Sequence, residues 1–549
     1  MRKYRGIAII AVVVIAVVAW LAATQKSSST TSAHATTTTF AQSSAAISWS
    51  TAAKRGLTKK INWGPRCDTT TGHVAIPGTN VPDCYAPFHG DNGGATTTGV
   101  TATTVKVVAY RSNGSDSLAT AVASLTSGAT DAGVSGKFQR GYIEIMSHYL
   151  EMYGRHVDLV DFTGTGASGD SVAAVADAET IAKDIRPFAV IGGPALSAAF
   201  ADTLAANHVI CISCAPGEPD SFYAKDAPYV WDVLKNPEQN GYMVDEYIGK
   251  RLAGRKAIYA GDPAMHSETR VFGSIHLKLG ADTESLAGIL RKDLASYGVH
   301  YAVDESFTDP TALATTARDL ITRLKEAGVT TVVYTGDPLA PGTLTKVATE
   351  QNYFPEWVIT GTAFIDASIA PRLLYDPRQW AHAFGPANLF VTAEQGFSVA
   401  DLWKWYFDTD APEPGLAASG ATAALQIIEL ALQGMGPDVT PQRFGEVLFA
   451  SPVQPARPTL GQISFGNHGF FRHPDYTAID DQTEVWWDPD AVSVDELGQS
   501  GKGSWRWVDG GKRIEPGTWP RTAPKLFDRS NSVVTLIEPP VATTYQPLH

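Results

Sequence analysis

The sequence predicts an α/β fold of two lobes, each a mostly parallel sheet with helices on both faces, joined by a hinge. Three observations predict it. From Val105 to about residue 450, short β-rich runs alternate with helical stretches, the pattern of parallel strands linked by helical crossovers. The alternation runs through seven or more units and is interrupted near Pro237, which implies two sheets and not one. A chain of 549 residues with 44% hydrophobic residues can also fill two sizeable cores.

The elements follow in order. Arg2, Lys3 and Arg5 precede an uninterrupted apolar run, Ile7 to Ala23, so residues 1–25 read as a signal anchor or signal peptide. The one good A-x-A sequence, Ala33-His-Ala35, lies well downstream of that run, which favours an uncleaved membrane anchor with the bulk of the chain outside the cytoplasm. Residues 26–60 read as a disordered tether rich in Thr, Ser and Ala, and 61–100 as an extension wrapped on a larger body. Lobe 1 is expected at 101–235 and 360–450, lobe 2 at 236–359 and 451–490, and a Trp-rich extension at 491–549. Hinge segments are expected near 232–240, 355–365 and 450–460.

In lobe 1, strands are expected at 105–110, 156–162, 188–193 and 208–213, with helices at 134–153, 171–185 and 195–207. In lobe 2, strands are expected at 256–261, 300–307, 330–336 and 356–361, with helices at 241–252, 267–296, 311–327 and 342–351. The net charge of -13 argues against nucleic acid or an anionic membrane face as partner. Of the four cysteines, Cys67 and Cys84 are a plausible disulfide in an oxidising compartment. Cys211 and Cys214 read as a local disulfide or as two half-buried thiols, with no second pair to complete a metal site.

Gly164-Thr-Gly-Ala-Ser-Gly169 spells G-x-G-x-x-G, yet its surroundings exclude a dinucleotide site. The motif follows the second strand of its series, and the next strand ends Ile191-Gly-Gly-Pro194 without the acid that would hold a ribose. The glycines read instead as a strand-to-helix turn, with Ser168 or Asp170 capping the next helix. No nucleophile elbow, zinc-protease motif or P-loop is present, so neither an enzyme nor a cofactor is expected. Trp486, Trp487, Trp505, Trp507 and Trp519 are expected to anchor the extension on its own domain, with stacking on envelope sugars as the alternative.

Ligands of open α/β sheets sit beyond the carboxyl ends of the strands, which directs attention to loops at 111–117, 192–197, 213–220, 262–267, 336–341 and 360–366. Ser112, Gly193, Pro194, Ser197 and Ser213 are the first-lobe candidates. Ser197 with nearby backbone N–H groups could receive a carboxylate, or serve only as a helix cap. Asp262, Asp337 and Asp366 could meet a ligand ammonium, or serve as turn residues.

Residues 101 to about 490 resemble the type I periplasmic solute-binding proteins, specifically the branch that binds leucine, isoleucine, valine and related ligands for ABC importers. The resemblance lies in "GVTATTVKVVAY", "FAVIGGPALSAAFADTLAANHVICISCAP", "GRKAIYAGDPAMH" and "GVTTVVYTGDPLAPGTLTKVATEQNYFPEWVITG". The segments "WGPRCDTTTGHVAIPGTNVPDC" and "WRWVDGGKRIEPGTWP" are similar to extensions of actinobacterial members. It implies that Ser197 and its neighbours lie where the family holds a carboxylate, with Cys214 and Ala215 in a contact loop. The second lobe departs: Met265 and His266 stand where amino-acid binders have a Tyr, and Ala363, with Asp366 three residues on, where they have a Glu. Without that Glu a buried ammonium has no counter-charge, so the expected solute is amino-acid-like or less polar. The implied function is capture of a small solute and its presentation to an ABC permease, outside the cytoplasm and tethered to the membrane through the N-terminal segment. A ligand-sensing ectodomain and a structural envelope protein are the alternatives.

Overall fold

The computed structural model describes residues 46–549 except 79–80, 114–115, 117–131, 216, 279–282, 395–396, 413–415, 497, 539–540 and 542–543. The apolar run 7–23 and most of the expected tether lie outside the described residues. Among the described residues no helix is long and apolar enough to cross a membrane.

The first sheet contains β1 (Thr104–Arg111), β2 (His156–Thr163), β3 (Ala189–Ile191), β4 (Ile210–Ile212) and β5 (Val230–Trp231), in the order β2-β1-β3-β4-β5 and all parallel. Its helices are α1 (Ala132–Tyr149), α2 (Ser171–Thr180), α3 (Ala199–Ala206) and α4 (Asp220–Lys225). Along β1, Val105, Val107 and Ala109 enter one core while Val108 and Tyr110 enter the other. Burial on both faces is why this strand reads as a nearly continuous apolar run.

The second lobe repeats the topology. After α5 (Pro237–Tyr247) come β6 (Phe272–Leu277), α6 (Thr283–Ser296), β7 (Val303–Phe307), α7 (Ala317–Glu326), β8 (Thr331–Thr335), α8 (Ala340–Glu350), β9 (Glu356–Ile359), α9 (Ile369–Leu374), α10 (Pro377–Trp380) and β10 (Ala383–Ala387). The parallel strands lie in the order β7-β6-β8-β9-β10. By rank in the chain this is the order of the first lobe, 2-1-3-4-5.

The chain then returns to lobe 1. β11 (Thr392–Glu394) leads to α11 (Val399–Phe407), α12 (Leu416–Met435) and α13 (Pro441–Ala450), whose apolar faces close the core over β1 and β3. Three antiparallel strands, β12 (Thr483–Val494), β13 (Ser500–Val508) and β14 (Ser532–Val533), extend the second sheet beyond β10. Finally β15 (Thr535–Ile537) pairs with β11.

The segment 256–261, expected as a strand, lies across the amino ends of the second sheet. Glu356, the first residue of β9, accepts from the Arg270 guanidinium at 2.7 and 2.9 Å, from Tyr259 N at 3.1 Å and from Thr331 Oγ1 at 2.8 Å, which fixes this stretch as a loop. The first strand of the lobe is 272–277, inside the expected helix 267–296. Its Gly273, which makes the run look unlike a strand, is required by packing: a Cβ there would stand 2.5 Å from Leu324 and 2.9 Å from Val329.

Boundaries differ from expectation at four places. Residues 46–60, expected as the end of the tether, carry a helix at Trp49–Lys54 whose Thr51 and Ala52 are buried. The 360–390 segment, expected in lobe 1, carries β10 of the second sheet. Within 451–479, expected in lobe 2, Leu460, Ile463, Phe465, Ala478 and Ile479 pack in the first-lobe core. The expected extension at 491–549 contributes strands to the second sheet, and its Trp505, Trp507 and Trp519 are buried, as are Trp486 and Trp487 just before it. Side chains alternate along a strand, so Trp487 packs edge-on to Trp505 at 5.3 Å while Trp486 enters the opposite face. These rings are core residues, which removes the sugar-stacking alternative.

The N-terminal extension is stapled by the Cys67–Cys84 disulfide. Arg155 ties it to lobe 1 by donating to the carbonyls of Asn92, Gly94, Thr101 and Pro437.

Three crossings join the lobes: 232–236 after β5, 388–391 after β10 and 475–482 before β12. The second and third replace the expected hinges at 355–365 and 450–460. The first two leave from carboxyl ends of parallel strands, and the third enters a strand antiparallel to β10, so the carboxyl ends of both sheets face each other. Asn240 Oδ1 accepts from Asn388 Nδ2 at 3.0 Å and from Gln482 Nε2 at 2.9 Å, while Asn240 Nδ2 donates to Thr360 O at 3.0 Å. Arg513 donates to both oxygens of Asp481, at 2.7 and 3.1 Å, and to Leu389 O at 2.7 Å; Lys235 Nζ donates to Asp481 O at 2.6 Å. Arg513 and Asp481 are both buried, so Arg513→Ala strands a carboxylate and is expected to cost about 3–5 kcal/mol. Urea unfolding of the variant against the parent measures it.

Candidate functional site

Two sheets of the same 2-1-3-4-5 order place a topological switch point in each lobe, between β1 and β3 and between β6 and β8, and both lie at the carboxyl ends that face across the hinge. The candidate site is therefore the cleft between the lobes.

On the first-lobe wall, exposed Ser112 leaves β1 beside Asn113, whose Nδ2 donates to Thr165 O at 3.3 Å. Buried Asp116 accepts from Ser168 N at 3.0 Å and from the Ser168 hydroxyl. Asp177 of α2 accepts from Thr165 N at 3.0 Å, Thr165 Oγ1 at 2.7 Å and Tyr110 OH at 3.0 Å. The Gly164–Gly169 loop thus gives two of its N–H groups to carboxylates. Its glycines answer to packing: a Cβ on Gly164 would fall 1.9 Å from Tyr110 OH, and one on Gly166 2.3 Å from Ala173 Cβ. Asp170, not Ser168, caps α2, accepting from Val172 N and Ala173 N at 3.0 Å.

Gly193 and Pro194 sit between β3 and α3. A Cβ on Gly193 would lie 3.0 Å from the Phe200 ring and 3.3 Å from Cys214 Cα, so glycine lets the loops after β3 and β4 touch. Ser197 does not cap α3; its hydroxyl donates to Ser171 Oγ at 3.1 Å and joins the starts of α2 and α3. Cys211 and Cys214 form a fully buried disulfide. Between them Ser213 takes a left-handed backbone, φ 58°, and its hydroxyl donates to Asp232 Oδ1 at 3.1 Å. Ala215 O accepts from Tyr223 OH at 3.2 Å.

On the second-lobe wall, Asp337 accepts from Leu339 N at 2.7 Å and Ala340 N at 3.0 Å at the start of α8. Thr360 Oγ1 donates to Tyr334 O at 3.2 Å, and Thr362 Oγ1 accepts from Gly336 N at 3.1 Å, stitching the exits of β8 and β9 together. Ala363 and Phe364 are left-handed in succession, φ 45° and 63°. Non-glycine residues hold that conformation at a cost of about 1–3 kcal/mol each and gather at ligand clamps; Ser213 faces them from the other lobe. Asp366 is buried, its Oδ2 accepting from Asn388 N at 2.7 Å and Leu389 N at 2.8 Å.

Three of the residues expected in the cleft are elsewhere. Asp262, Met265 and His266 form a 3₁₀ turn at the amino ends of the second sheet, where Asp262 N donates to Phe354 O at 3.0 Å and His266 Nε2 pairs with Ala260 O at 2.7 Å. They were mapped there by treating 256–261 as the first strand, and moving that strand to 272–277 reverses the end on which they fall. Of the carboxylates, Asp337 holds the Leu339 and Ala340 N–H groups, and Asp366 holds those of Asn388 and Leu389 through Oδ2. The hinge residues Asn240, Asn388, Gln482 and Arg513 were not foreseen; they come from four separate stretches with no common motif.

No protein-family model matches the chain, and no curated protein matches it. Solved structures do. A solute binding protein of an ABC transporter from Rhodopseudomonas palustris HaA2, in complex with p-hydroxybenzoic acid, is similar at a TM-score of 0.51 and 10% identity, over 75% of this chain and 97% of that one. An ABC-transporter solute binding protein from R. palustris in complex with 4-hydroxybenzoate is similar at 0.50 and 13%, over 76% and 97%. The chain has the two-lobed fold of the type I periplasmic binding proteins.

Burial pushes the Asp366 carboxyl from 3.8 up to about 6, against the opposing pull of the Leu389 and Asn388 N–H groups. The folded-state value is the higher one, so the contribution to stability is complete below about pH 4 and is lost as pH rises through 6. Asp366→Asn mimics the protonated form at every pH. Between pH 4 and 7 the parent is expected to lose about 2 kcal/mol relative to the variant, read from denaturant melts of both at the two pH values.

Proposed function

We propose that the protein is an extracytoplasmic solute-binding protein that takes a small solute between its lobes and presents it to an ABC-type permease. The observation that carries this reading is the cleft itself, two switch points facing each other across three crossings. Ligand contact with both walls would favour one setting of the hinge over another.

The same walls bear on the solute. Asp337 and Asp366, the acids expected to meet an ammonium, are both buried and spend oxygens on backbone donors. An ammonium would have to be buried beside them to use their charge, at the desolvation cost that burial of an ion carries. The first-lobe wall offers the exposed Ser112 hydroxyl and small residues at Gly193 and Ala215, suited to a carboxylate or a hydroxyl. A carboxylic acid without an amino group, such as the hydroxybenzoates held by the two similar proteins, fits this balance better than an α-amino acid. Tethering by the apolar run 7–23 belongs to the same proposal.

Protein stripped of retained solute by unfolding and refolding is to be melted with 4-hydroxybenzoate and, separately, with leucine. A ligand at a hundred times its dissociation constant adds about 2.7 kcal/mol. The aromatic acid is expected to raise Tm and leucine to leave it unchanged. A response to leucine alone would overturn the assignment of solute class.

A further inference from the structure

One hairpin belongs to lobe 1 by its root and to lobe 2 by its tip. Residues 463–479 form an irregular antiparallel hairpin, with bridges Ile463–Ile479 and Gly466–Asp475. At its root Ile463, Phe465, Ala478 and Ile479 are buried in the first-lobe core. Phe465 and Tyr476 pack on Trp231 of β5, at 5.7 and 5.2 Å between ring centres. Asp232 N donates to Tyr476 O at 3.0 Å, and Ala478 N donates to Asp232 O at 3.1 Å, so the root continues the edge of the first sheet.

The tip, Asn467-His-Gly-Phe-Phe-Arg-His-Pro474, is exposed except at Phe470 and Phe471, which are half-buried. From it Arg472 reaches the second lobe. Its guanidinium carbon lies 3.8 Å from the ring centre of Tyr242 on α5, and its Nη2 donates to Asp293 Oδ1 on α6 at 2.5 Å. Both helices pack on the second sheet: Val244, Tyr247 and Ile248 beside Leu294 share a core with Phe272, Val333 and Trp486. Tyr242 OH in turn donates to Glu238 Oε1 at 2.8 Å, and Glu238 Oε2 accepts from Asp220 N of lobe 1 at 3.2 Å.

We propose that this hairpin is a latch between the lobes, with Arg472 as its catch, and that it restricts their rotation about the three crossings. The arrangement suits a releasable contact. The root is apolar and buried, while the catch is a planar cation laid on one ring and aimed at one carboxylate, with more than half of the Arg472 side chain in solvent. An ion pair with its cation in solvent and its carboxylate mostly covered, and a cation–π contact, are each modest, and the pair is screened by salt. Together they bias the two settings of the lobes about five- to tenfold, enough to hold one setting in the free protein and little enough for a bound solute to overcome.

The test reads lobe geometry without any solute, so its outcome is independent of the solute assignment. All four native cysteines are in disulfides, so Lys183→Cys on lobe 1 and Arg318→Cys on lobe 2, both at exposed positions, accept spin labels in the full chain. Pulsed electron–electron double resonance then gives the interlobe distance distribution. In Arg472→Ala a second or broadened population is expected to grow about five- to tenfold against the parent. Asp293→Asn is expected to shift the same way by a smaller factor, Arg472→Lys to fall between, and 1 M KCl to move the parent toward Arg472→Ala while leaving that variant unchanged. Circular dichroism melts confirm that each variant is folded; should Arg472→Ala fail to fold, Asp293→Asn and the salt series decide. Distributions that superimpose for parent, Asp293→Asn and high salt would overturn the latch.

Discussion

A single amide oxygen carries the geometry of the molecule. Asn240 Oδ1 stands at the start of lobe 2 and receives Asn388 from the second crossing and Gln482 from the third. Through Thr360 O and Gly361 O the same cluster reaches the loop after β9. The relative placement of two sheets, and so the width of the cleft between them, is referred to one point. Each sheet could fold around its own core without it, but the facing of the two switch points would then rest on the Arg513 and Lys235 bonds to the neighbouring crossings.

Around that point the lobes are alike in topology and unlike in edges. An unpaired edge invites pairing with another chain. In lobe 2 the strands β12, β13 and β14 cover the edge of β10 and bring three tryptophans into the core behind it. In lobe 1 the two-residue β5 is met only by the root of the 463–479 hairpin. Both extensions also converge on lobe 1, where Tyr545 OH donates to Asp68 Oδ2 at 2.9 Å and Leu548 N to Tyr149 OH at 2.9 Å. Segments that look like appendages in the sequence are therefore the parts that close the sheets and tie the ends of the chain to the body.

Much of this was legible residue by residue. The runs at 105–110 and 330–336 announce strands because burial on both faces demands a nearly unbroken apolar text, the run at 156–162 because buried and exposed residues alternate on an edge strand, and Asp170 announces a cap because it precedes a helical period. The run at 272–277 was illegible because Gly273 and Ser274 serve a close helix contact that only the fold reveals. Glu356 was equally silent, since a carboxylate that holds Arg270 and fixes a loop looks like any other acid. Around the cleft, five of the six loops expected by rule leave the carboxyl ends of strands, and the loop at 262–267 does not. The two readings of Asp337 and Asp366, ligand partner or turn residue, stayed open because a carboxylate that caps backbone N–H groups and one that awaits a ligand are the same letter. Position 262 shows how one misplaced strand carries three candidate residues to the wrong end of a lobe.

The charges at the hinge explain why it is polar at all. Asp475, Asp480 and Asp481 are buried in one crossing with Lys235 and Arg513. Burial pushes Asp475 up to about 6 and Asp480 well above the usual carboxylate range, the charge of Asp475 beside it adding to the effect; burial also brings Lys235 down to about 8. Opposite charges set side by side offset part of the cost of burying them, yet apolar residues of equal volume would serve stability as well. Directed bonds supply what an apolar hinge cannot: Lys235 to Asp481 O, Arg513 to Asp481 and to Leu389 O, Gln239 to Asp475. Each joins a different pair of segments at a fixed register. Apolar side chains would let the crossings slide, and the polar set permits rotation about them only in the way that keeps those bonds.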